Sequence, residues 1–309
     1  MNKIKYSVVI VSWNVKDLLI QSFKSFLNRD DVEIIIIDNN SNDGTVEKLR
    51  GDYPEVILIE NNYNKGFAGA NNQGFELAKG EYVFILNPDT ISDYSLLTGL
   101  GTYLDNHVSC GAIGPKIFYQ NGTLQRSCAR RKPTLGSFFI MDVLRLKKVG
   151  VPVVKKFISK WTRYPYKYDQ LQSVEAISGA AMLVRSSLLK QLNGFKEIYL
   201  HTGEDTDLCS RIVQLNYEII YHPGYNLVHL AGQSSKQDLL PIWVKTYKSS
   251  FLYYRENYGQ ITANLFWVLL LGIKIPMDIF FYALTAFFMG KKKNNFYLNV
   301  ALFKKLINS

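Results

Sequence analysis

Asn87-Pro88-Asp89 closes the apolar run Tyr82–Leu86 (YVFIL), and residue types at that junction promise chemistry. The uninterrupted Val83-Phe84-Ile85-Leu86 stretch fits a strand covered on both faces, as in a parallel sheet. Pro88 cannot donate to a ladder and holds Asn87 extended, so the strand should stop there and leave Asp89 on stiff backbone at its carboxyl end. In open α/β sheets ligands bind along that edge. A carboxylate so placed can grip a divalent metal carrying a nucleotide diphosphate. Asp38 ends a second apolar run (Val32–Ile37, VEIIII), and Asn14 ends a third (Tyr6–Trp13). Glu204-Asp205 stand just after Gly203, where a loop becomes a helix, and His229 follows a short apolar run. Asp and Asn also punctuate ordinary turns, but their recurrence on successive strands points to one shared edge.

The chemistry these groups suit is transfer from a nucleotide-activated sugar. Charge grows on the departing nucleoside diphosphate, and bound Mg²⁺ or Mn²⁺ stabilises it as a Lewis acid. Asp89 supplies one oxygen, and His229 is the candidate second ligand, imidazole suiting Mn²⁺ better than Mg²⁺. An attacking sugar hydroxyl must lose its proton, a task for a carboxylate near the acceptor. Asp205 is the candidate base, with Glu204 orienting the acceptor or the base. Asp38 can accept a hydrogen bond from N3–H of uracil or thymine. Asp207, in the same first helical turn, reads as a structural partner of the helix dipole.

The positioning elements follow from apolar periodicity. Tyr6–Trp13, Val32–Ile37, Val56–Glu60 and Tyr82–Leu86 read as strands; helices are expected over Val15–Phe26, Val46–Arg50 and Phe67–Lys79, the last capped by Gly80. Strands alternating with helices at this spacing imply βαβ units and a mostly parallel, Rossmann-like sheet flanked by helices. Further on, Leu96–Leu104 reads as a helix, Cys110–Tyr119 and Glu218–Tyr221 as strands, and Pro223-Gly224 as a break before Val228-His229-Leu230. Ser178-Gly179-Ala180-Ala181 allows close backbone approach.

A chain of 309 residues, 47 % apolar, can bury a substantial core. Its formal charge of +10 calls for an anionic partner: nucleic acid, lipid headgroups or phosphorylated substrates. Cys110, Cys128 and Cys209 lack metal or disulfide spacing and read as reduced thiols, and the amino terminus enters a strand with no signal-peptide pattern. Residues 134–168 interleave Lys147, Lys148, Lys155, Lys156, Lys160, Arg163 and Lys167 with aromatics, a pattern that suits nucleic acid, a lipid headgroup surface or a plain solvated loop. Residues 260–290 are the most apolar, but Lys274, Pro276 and Asp278 divide them into runs shorter than the roughly 20 residues a span needs. With Lys291-Lys292-Lys293 and an amphipathic tail following, residues 241–309 are expected to form a helical, membrane-associating region at the cytoplasmic face, peripheral or monotopic, behind a catalytic domain of residues 1–240.

The segments VVIVSWN (Val8–Asn14), IIDNNSNDGT (Ile36–Thr45), NKGFAGANNQG (Asn64–Gly74), FILNPDT (Phe84–Thr90), SGAAMLVRSS (Ser178–Ser187) and GEDTDLCSR (Gly203–Arg211), in this order and spacing, resemble a family 2 glycosyltransferase of the GT-A fold, closest to the bacterial rhamnosyltransferase-like branch. The resemblance covers roughly residues 6–232. It implies inverting transfer from a nucleoside-diphosphate sugar with a divalent metal, in cell-surface polysaccharide synthesis. By it Asp38 contacts the base, Asn64-Lys65-Gly66 lie along the nucleotide, Asp89 holds the metal and Asp205 is the base; His229 falls where some members place a metal-binding histidine. Ser12, Asn14, Asn40, Asn72 and Asn87, from the matched segments or their strand ends, complete the expected nucleotide-sugar set. The acceptor it implies is a polyprenyl-diphosphate-linked glycan. One departure stands out: the family's DxD is Asn87-Pro88-Asp89 here, with a neutral amide for one carboxylate, a form frequent in that branch.

A sugar nucleotidyltransferase shares a similar sheet but should carry a Gly-rich phosphate loop after strand one, where this chain has Ser12-Trp13-Asn14-Val15. A nucleic-acid-binding or non-catalytic protein would explain the charge, but the basic residues cluster away from the sheet's ligand edge, which suits a membrane and no nucleic acid.

Overall fold

The computed structural model describes residues 3–144, 161–230, 239–289 and 293–308. Lys147, Lys148, Lys155, Lys156 and Lys160 of the basic stretch, and Lys291 and Lys292, lie outside the described residues. The chain divides into two compact units: residues 1–132, 166–197 and 204–236 form the first, and residues 133–165, 198–203 and 237–309 the second.

The first unit begins as strand–helix repeats: β1 (Tyr6–Ser12), α1 (Lys16–Phe23), β2 (Val32–Asp38), α2 (Thr45–Asp52), β3 (Ile57–Glu60), α3 (Gly66–Leu77) and β4 (Tyr82–Leu86). It continues through β5 (Thr90–Ile91), α4 (Tyr94–Asn106), β6 (Cys110–Phe118), β7 (Ala129–Arg130), β8 (Gln172–Ser173), β9 (Ala176–Ile177), β10 (Ala181–Arg185), α5 (Ser186–Gln191), α6 (Glu204–Gln214) and β11 (Glu218–His229). The main sheet runs β3-β2-β1-β4-β10-β6-β11-β5, with β8 against β11.

The first four strands of that order are parallel, as their continuous apolar runs require, and Val8, Val9, Ile10, Ile35, Ile36, Phe84 and Ile85 are all buried. The remainder is mixed. β10 runs antiparallel to both β4 and β6, so the start of β10 meets the end of β4. This reversal brings Gly179-Ala180 to the ligand edge, where Asn87 N–H donates to the Ala180 carbonyl at 3.0 Å.

Three local readings change. The helix after β3 stops at Leu77, and Gly80 is no left-handed cap; a Cβ there would sit 2.6 Å from the Ser7 backbone nitrogen, so a close crossing of chains demands glycine. Pro223-Gly224 do not break the last strand. β11 passes through them with a register shift between His222 and Asn226, the irregularity that lets proline sit in a sheet. The third change concerns the second unit.

That unit holds α7 (Leu239–Tyr258), α8 (Gln260–Leu269), α9 (Ile275–Met289) and α10 (Lys293–Ile307), around Phe138, Val143, Tyr254, Ala263, Phe266, Leu270, Ile275, Leu302 and Leu306. Lys274, Pro276 and Asp278 do not divide the apolar stretch. A π turn over Leu270–Lys274 joins α8 to α9 without a gap. The widened turn gives the Pro276 ring room. Lys274 Nζ meets Asp278 Oδ2 at 2.5 Å one turn away, so the two charges neutralise each other within the helix. Gln260–Thr285 is therefore one helix long and apolar enough, by length and composition, to cross a membrane, and 22 % of its 18-residue apolar window is buried.

Candidate functional site

Three groups of polar side chains collect along the carboxyl edge of the parallel strands. The first lies at the ends of β1 and β2. Asp38 is 2 % exposed; its Oδ2 accepts from Ser41 N–H at 2.8 Å, while its Oδ1 has no partner, nor does the buried Ser12 Oγ beside it in register. A buried acceptor without a donor is costly, so this pair asks for a ligand N–H or hydroxyl. Asn14, at φ +53°, receives Asn42 N–H on Oδ1 and donates its own N–H to Ser41 Oγ, stapling the two strand-end loops; Asn40 is exposed at φ +66°.

The second group forms the start of α3. Asn64 Oδ1 accepts from Gly66 N–H at 2.8 Å, Lys65 is exposed, and Gly66 (φ +75°) has open space around it. Asn72 is elsewhere. Its amide accepts from Phe195 N–H and donates to the Phe195 carbonyl and Glu197, so both its polar ends are spent on the segment after α5. Its neighbour Asn71 is buried with Oδ1 unpartnered, one helical turn nearer the ligand edge than Gly74, which packs against Val9 and Ile37.

The third group lies around the β4 end. Thr90 Oγ1 donates to the Asn87 carbonyl and locks the Asn87-Pro88-Asp89 turn. β5 pairs antiparallel with the end of β11, Thr90 opposite His229, which sets His229 Nε2 3.0 Å from Asp89 Oδ1 and 3.3 Å from the Asn87 amide. On its other side His229 Nδ1 faces Gln125 Oε1 at 3.0 Å. The ring is thus held from both sides, with Nε2 facing the Asp89 carboxylate and the Asn87 amide nitrogen at the strand end. Asp89, His229 and the Asn87 amide oxygen are donors that fit a divalent cation, although among the described residues no cluster of three His, Cys, Asp or Glu side chains surrounds one point. A cation held by one carboxylate and one imidazole would need oxygens from a diphosphate to complete its shell.

Across the β10 turn from this group sits Asp205, on the first turn of α6, which Gly203 enters at φ +114°. Its Oδ2 accepts from Gly179 N–H at 3.0 Å; its Oδ1 takes Thr206 N–H at 2.6 Å and an ion pair with Arg130 Nη2 at 2.6 Å. Arg130, itself buried, also donates to Thr206 Oγ1 and the Ser127 carbonyl. Burial alone would raise the Asp205 carboxyl; the guanidinium and the two backbone donors outweigh it and hold the group below its usual range. Glu204 goes the other way, pushed up to about 8 by burial first and by the Asp205 charge second. Adjacent carboxyls with divergent affinities for a proton suit a division of acid and base roles. Asp207 is structural, buried and paired with Arg211 and Lys196.

The Glu204 shift makes a pH prediction. Its folded-state value is raised, so the stability tied to its neutral form is full below the ordinary 4.5 and is lost as pH rises through about 8. Glu204→Gln should therefore melt progressively higher than the parent as pH rises from 4.5 to about 8, and by a constant margin above that. Parallel melting curves across that range would contradict a buried, proton-holding Glu204.

The sequence pattern pointed to Asp38, Asn87, Asp89, Asp205 and His229, and these lie along one edge. Arg130 and Gln125 it missed: Arg130 is one of a run, Arg126, Arg130, Arg131 and Lys132, with no period to single it out.

The description "Glycosyl transferase family 2" matches this chain over residues 7–192. The chain is 28 % identical over 258 residues, 77 % of its length and 80 % of the other, to N-acetylglucosaminyl-diphospho-decaprenol L-rhamnosyltransferase of Mycobacterium tuberculosis strain H37Rv. It is 24 % identical to rhamnosyltransferase WbbL of Escherichia coli K12, over 80 % of this chain and 91 % of that one. Among solved structures it resembles the mannosyltransferase PcManGT from Pyrobaculum calidifontis in complex with GDP-Man and Mn²⁺ (TM-score 0.54, 16 % identity, 98 % of this chain and 87 % of that one). TarS 1–349 of S. aureus aligns with TM-score 0.51 at 16 % identity, over 99 % and 92 % of the two chains. The sheet with its flanking helices is thus a GT-A fold. The family match spans more than half of the residues, and the chain belongs to glycosyl transferase family 2, as a rhamnosyltransferase-like glycosyltransferase.

Proposed function

We propose that this enzyme moves a sugar, with inversion, from a UDP- or dTDP-sugar, dTDP-rhamnose foremost, to a hydroxyl of a polyprenyl-diphosphate-linked glycan during cell-surface polysaccharide synthesis. One observation carries the reading. Asn87 and Asp205 are hydrogen-bonded to adjacent residues of one turn, Ala180 and Gly179, so the metal-type donors and the ion-paired carboxylate flank the same short piece of backbone. The rhamnosyl donor and the lipid-linked acceptor are favoured by the names of the relatives, one acting on N-acetylglucosaminyl-diphospho-decaprenol. The catalytic assignment is confined to residues 1–240, with residues 241–309 as a membrane-associating region at the cytoplasmic face.

Each residue then has a task. Asp38 Oδ1 accepts N3–H of the pyrimidine, with Ser12, Asn14 and Asn40 around the nucleoside and Asn64, Lys65 and Gly66 along the diphosphate. Asn71 replaces Asn72 as the α3 amide whose oxygen can meet the donor, since Asn72 is occupied and only Nδ2 of Asn71 is spent, on the Phe67 carbonyl. Asp89 and His229, with Asn87, would hold Mg²⁺ or Mn²⁺, which would neutralise the departing diphosphate. Gln125 holds the His229 ring in place from its far side. Arg130 keeps Asp205 ionised and in one rotamer, ready to take the acceptor proton, and Glu204 orients the acceptor as a neutral donor.

A thermal-shift panel tests the reading. At a hundredfold excess over Kd a ligand adds about 2.7 kcal/mol, so dTDP or UDP with Mn²⁺ should raise the melting temperature by several degrees. The same diphosphates with chelator, and GDP with Mn²⁺, should give much smaller shifts. Equal stabilisation by all diphosphates, or by none, would contradict the base and metal assignments.

A further inference from the structure

We infer that the long apolar helix Gln260–Met289 lies in the plane of the membrane, one face sunk into the headgroup region of an anionic bilayer, and does not cross it. This deepens the membrane association proposed above and rests on it. The helix is long enough to span, at about 1.5 Å of rise per residue against a core of about 30 Å. Its neighbours argue otherwise.

The helix has two faces. Ala263, Phe266, Leu270 and Ile275 are buried within the second unit, while Ile261, Leu265, Val268, Ile273, Met277, Phe280 and Leu284 are exposed. Both sets keep helical spacing until the π turn, and both then step by five residues: Leu270 to Ile275 inside, Val268 to Ile273 outside. A turn closed by i to i+5 hydrogen bonds absorbs one extra residue. Without it the outer set would be rotated by about 100° about the axis after residue 270. Besides making room for Pro276, the π turn therefore keeps one apolar stripe facing outward along the whole helix, as contact with a flat, continuous surface requires.

The inner face is what forbids crossing. α8 packs along α7, with Phe266 against Tyr254 at 4.8 Å and Trp267 against Phe251 at 5.3 Å between ring centres. α9 packs along α10, and α10 also reaches α7. α7 carries Lys245, Lys248, Arg255 and Glu256, and α10 carries Lys304, Lys305 and the amide Asn299. A spanning α8–α9 would drag these charges into hydrocarbon, where each is strongly disfavoured. Lying flat, the same helix buries only its outward stripe and leaves the lysines, exposed at 245, 304 and 305, in the aqueous headgroup layer. The +10 charge of the chain favours anionic lipid over any neutral apolar surface.

The test uses the full chain in inside-out bacterial membrane vesicles and in spheroplasts, with a membrane-impermeant maleimide. Cys110, Cys128 and Cys209 are buried and give little background. Gln260→Cys and Lys291→Cys place one thiol at the first residue of the helix and one past its end in sequence. An in-plane helix predicts that both label in inside-out vesicles to within about twofold of each other, and at least about tenfold less in spheroplasts. Labelling of Lys291→Cys from the spheroplast side while Gln260→Cys labels only in inside-out vesicles would overturn the inference and leave membrane association intact. In flotation with vesicles of phosphatidylglycerol and phosphatidylcholine, Val268→Glu with Phe280→Glu, both exposed and so tolerated by the fold, should cut the floated fraction at least about tenfold. Undiminished flotation by that pair would also overturn it. A parent protein that fails to float would end the membrane reading itself.

Discussion

Asp205→Asn is expected to reduce transfer by on the order of a thousandfold while nucleoside-diphosphate affinity stays within about twofold of the parent, because a positioned general base contributes roughly 10² to 10⁴ in rate. The competing account is that Asp205 exists only to neutralise Arg130. Arg130 is buried and Asp205 is 15 % exposed, and removing one member of a largely buried ion pair strands the other at a cost of up to about 3–5 kcal/mol. Asp205→Asn should therefore also melt lower, by roughly ten degrees for a unit of this size. The double variant Arg130→Met/Asp205→Asn separates the two accounts. It removes the stranded charge and should recover much of the melting temperature, yet transfer should remain lost. Recovery of transfer along with stability would reduce Asp205 to a structural role. The low proton affinity of Asp205 adds a kinetic signature: its carboxylate stays ionised down to acidic pH, so kcat/KM should show no acid limb from this group near neutrality.

The second large effect is expected at the β4 end. Asp89→Ala should weaken Mn²⁺-dependent binding of the nucleoside diphosphate by on the order of a hundredfold or more, since even outer partners of a metal ligand cost 10- to 100-fold when removed. The variant should fold. Asp89 hangs from a turn held by Thr90 and by Leu230 N–H on the Asp89 carbonyl, contacts that need no carboxylate. His229 keeps Gln125 as a partner. Calorimetric titration with and without Mn²⁺ reads the effect directly. If the parent binds equally well in chelator, or if Asp89→Ala retains a full metal response, the cation is held elsewhere.

How far the sequence reaches can be judged element by element. Parallel strands buried on both faces leave continuous apolar runs, so β1, β2 and β4 were legible, as were the polar residues that terminate them. Features set by contact between distant segments were not. Gly80 resembles a helix cap in sequence, but only the approach of Ser7 explains it. Pro223-Gly224 look like a strand break, but pairing with β6 carries the ladder past them. Lys274, Pro276 and Asp278 look like an interruption, but a π turn and an internal ion pair absorb all three. Within the site the same division holds. Acids at strand ends announce themselves by position; Arg130 and Gln125 acquire meaning only when β7 and the chain after β6 are brought to Asp205 and His229. Asn71 and Asn72 are neighbours in one motif, and which of them turns inward is decided by Phe195 and Glu197, more than 120 residues away.

The central claim is that Asp89, His229 and Asp205 surround one diphosphate. The most direct measurement is a crystal of the Asp205→Asn protein grown with MnCl₂ and the intact nucleotide sugar, with data collected at the manganese edge. The account predicts one anomalous peak within coordination distance of Asp89 and His229 Nε2, bridged to the diphosphate, with residue 205 facing the open side of the anomeric carbon. A peak away from Asp89, or a diphosphate bound at another edge of the sheet, would contradict it.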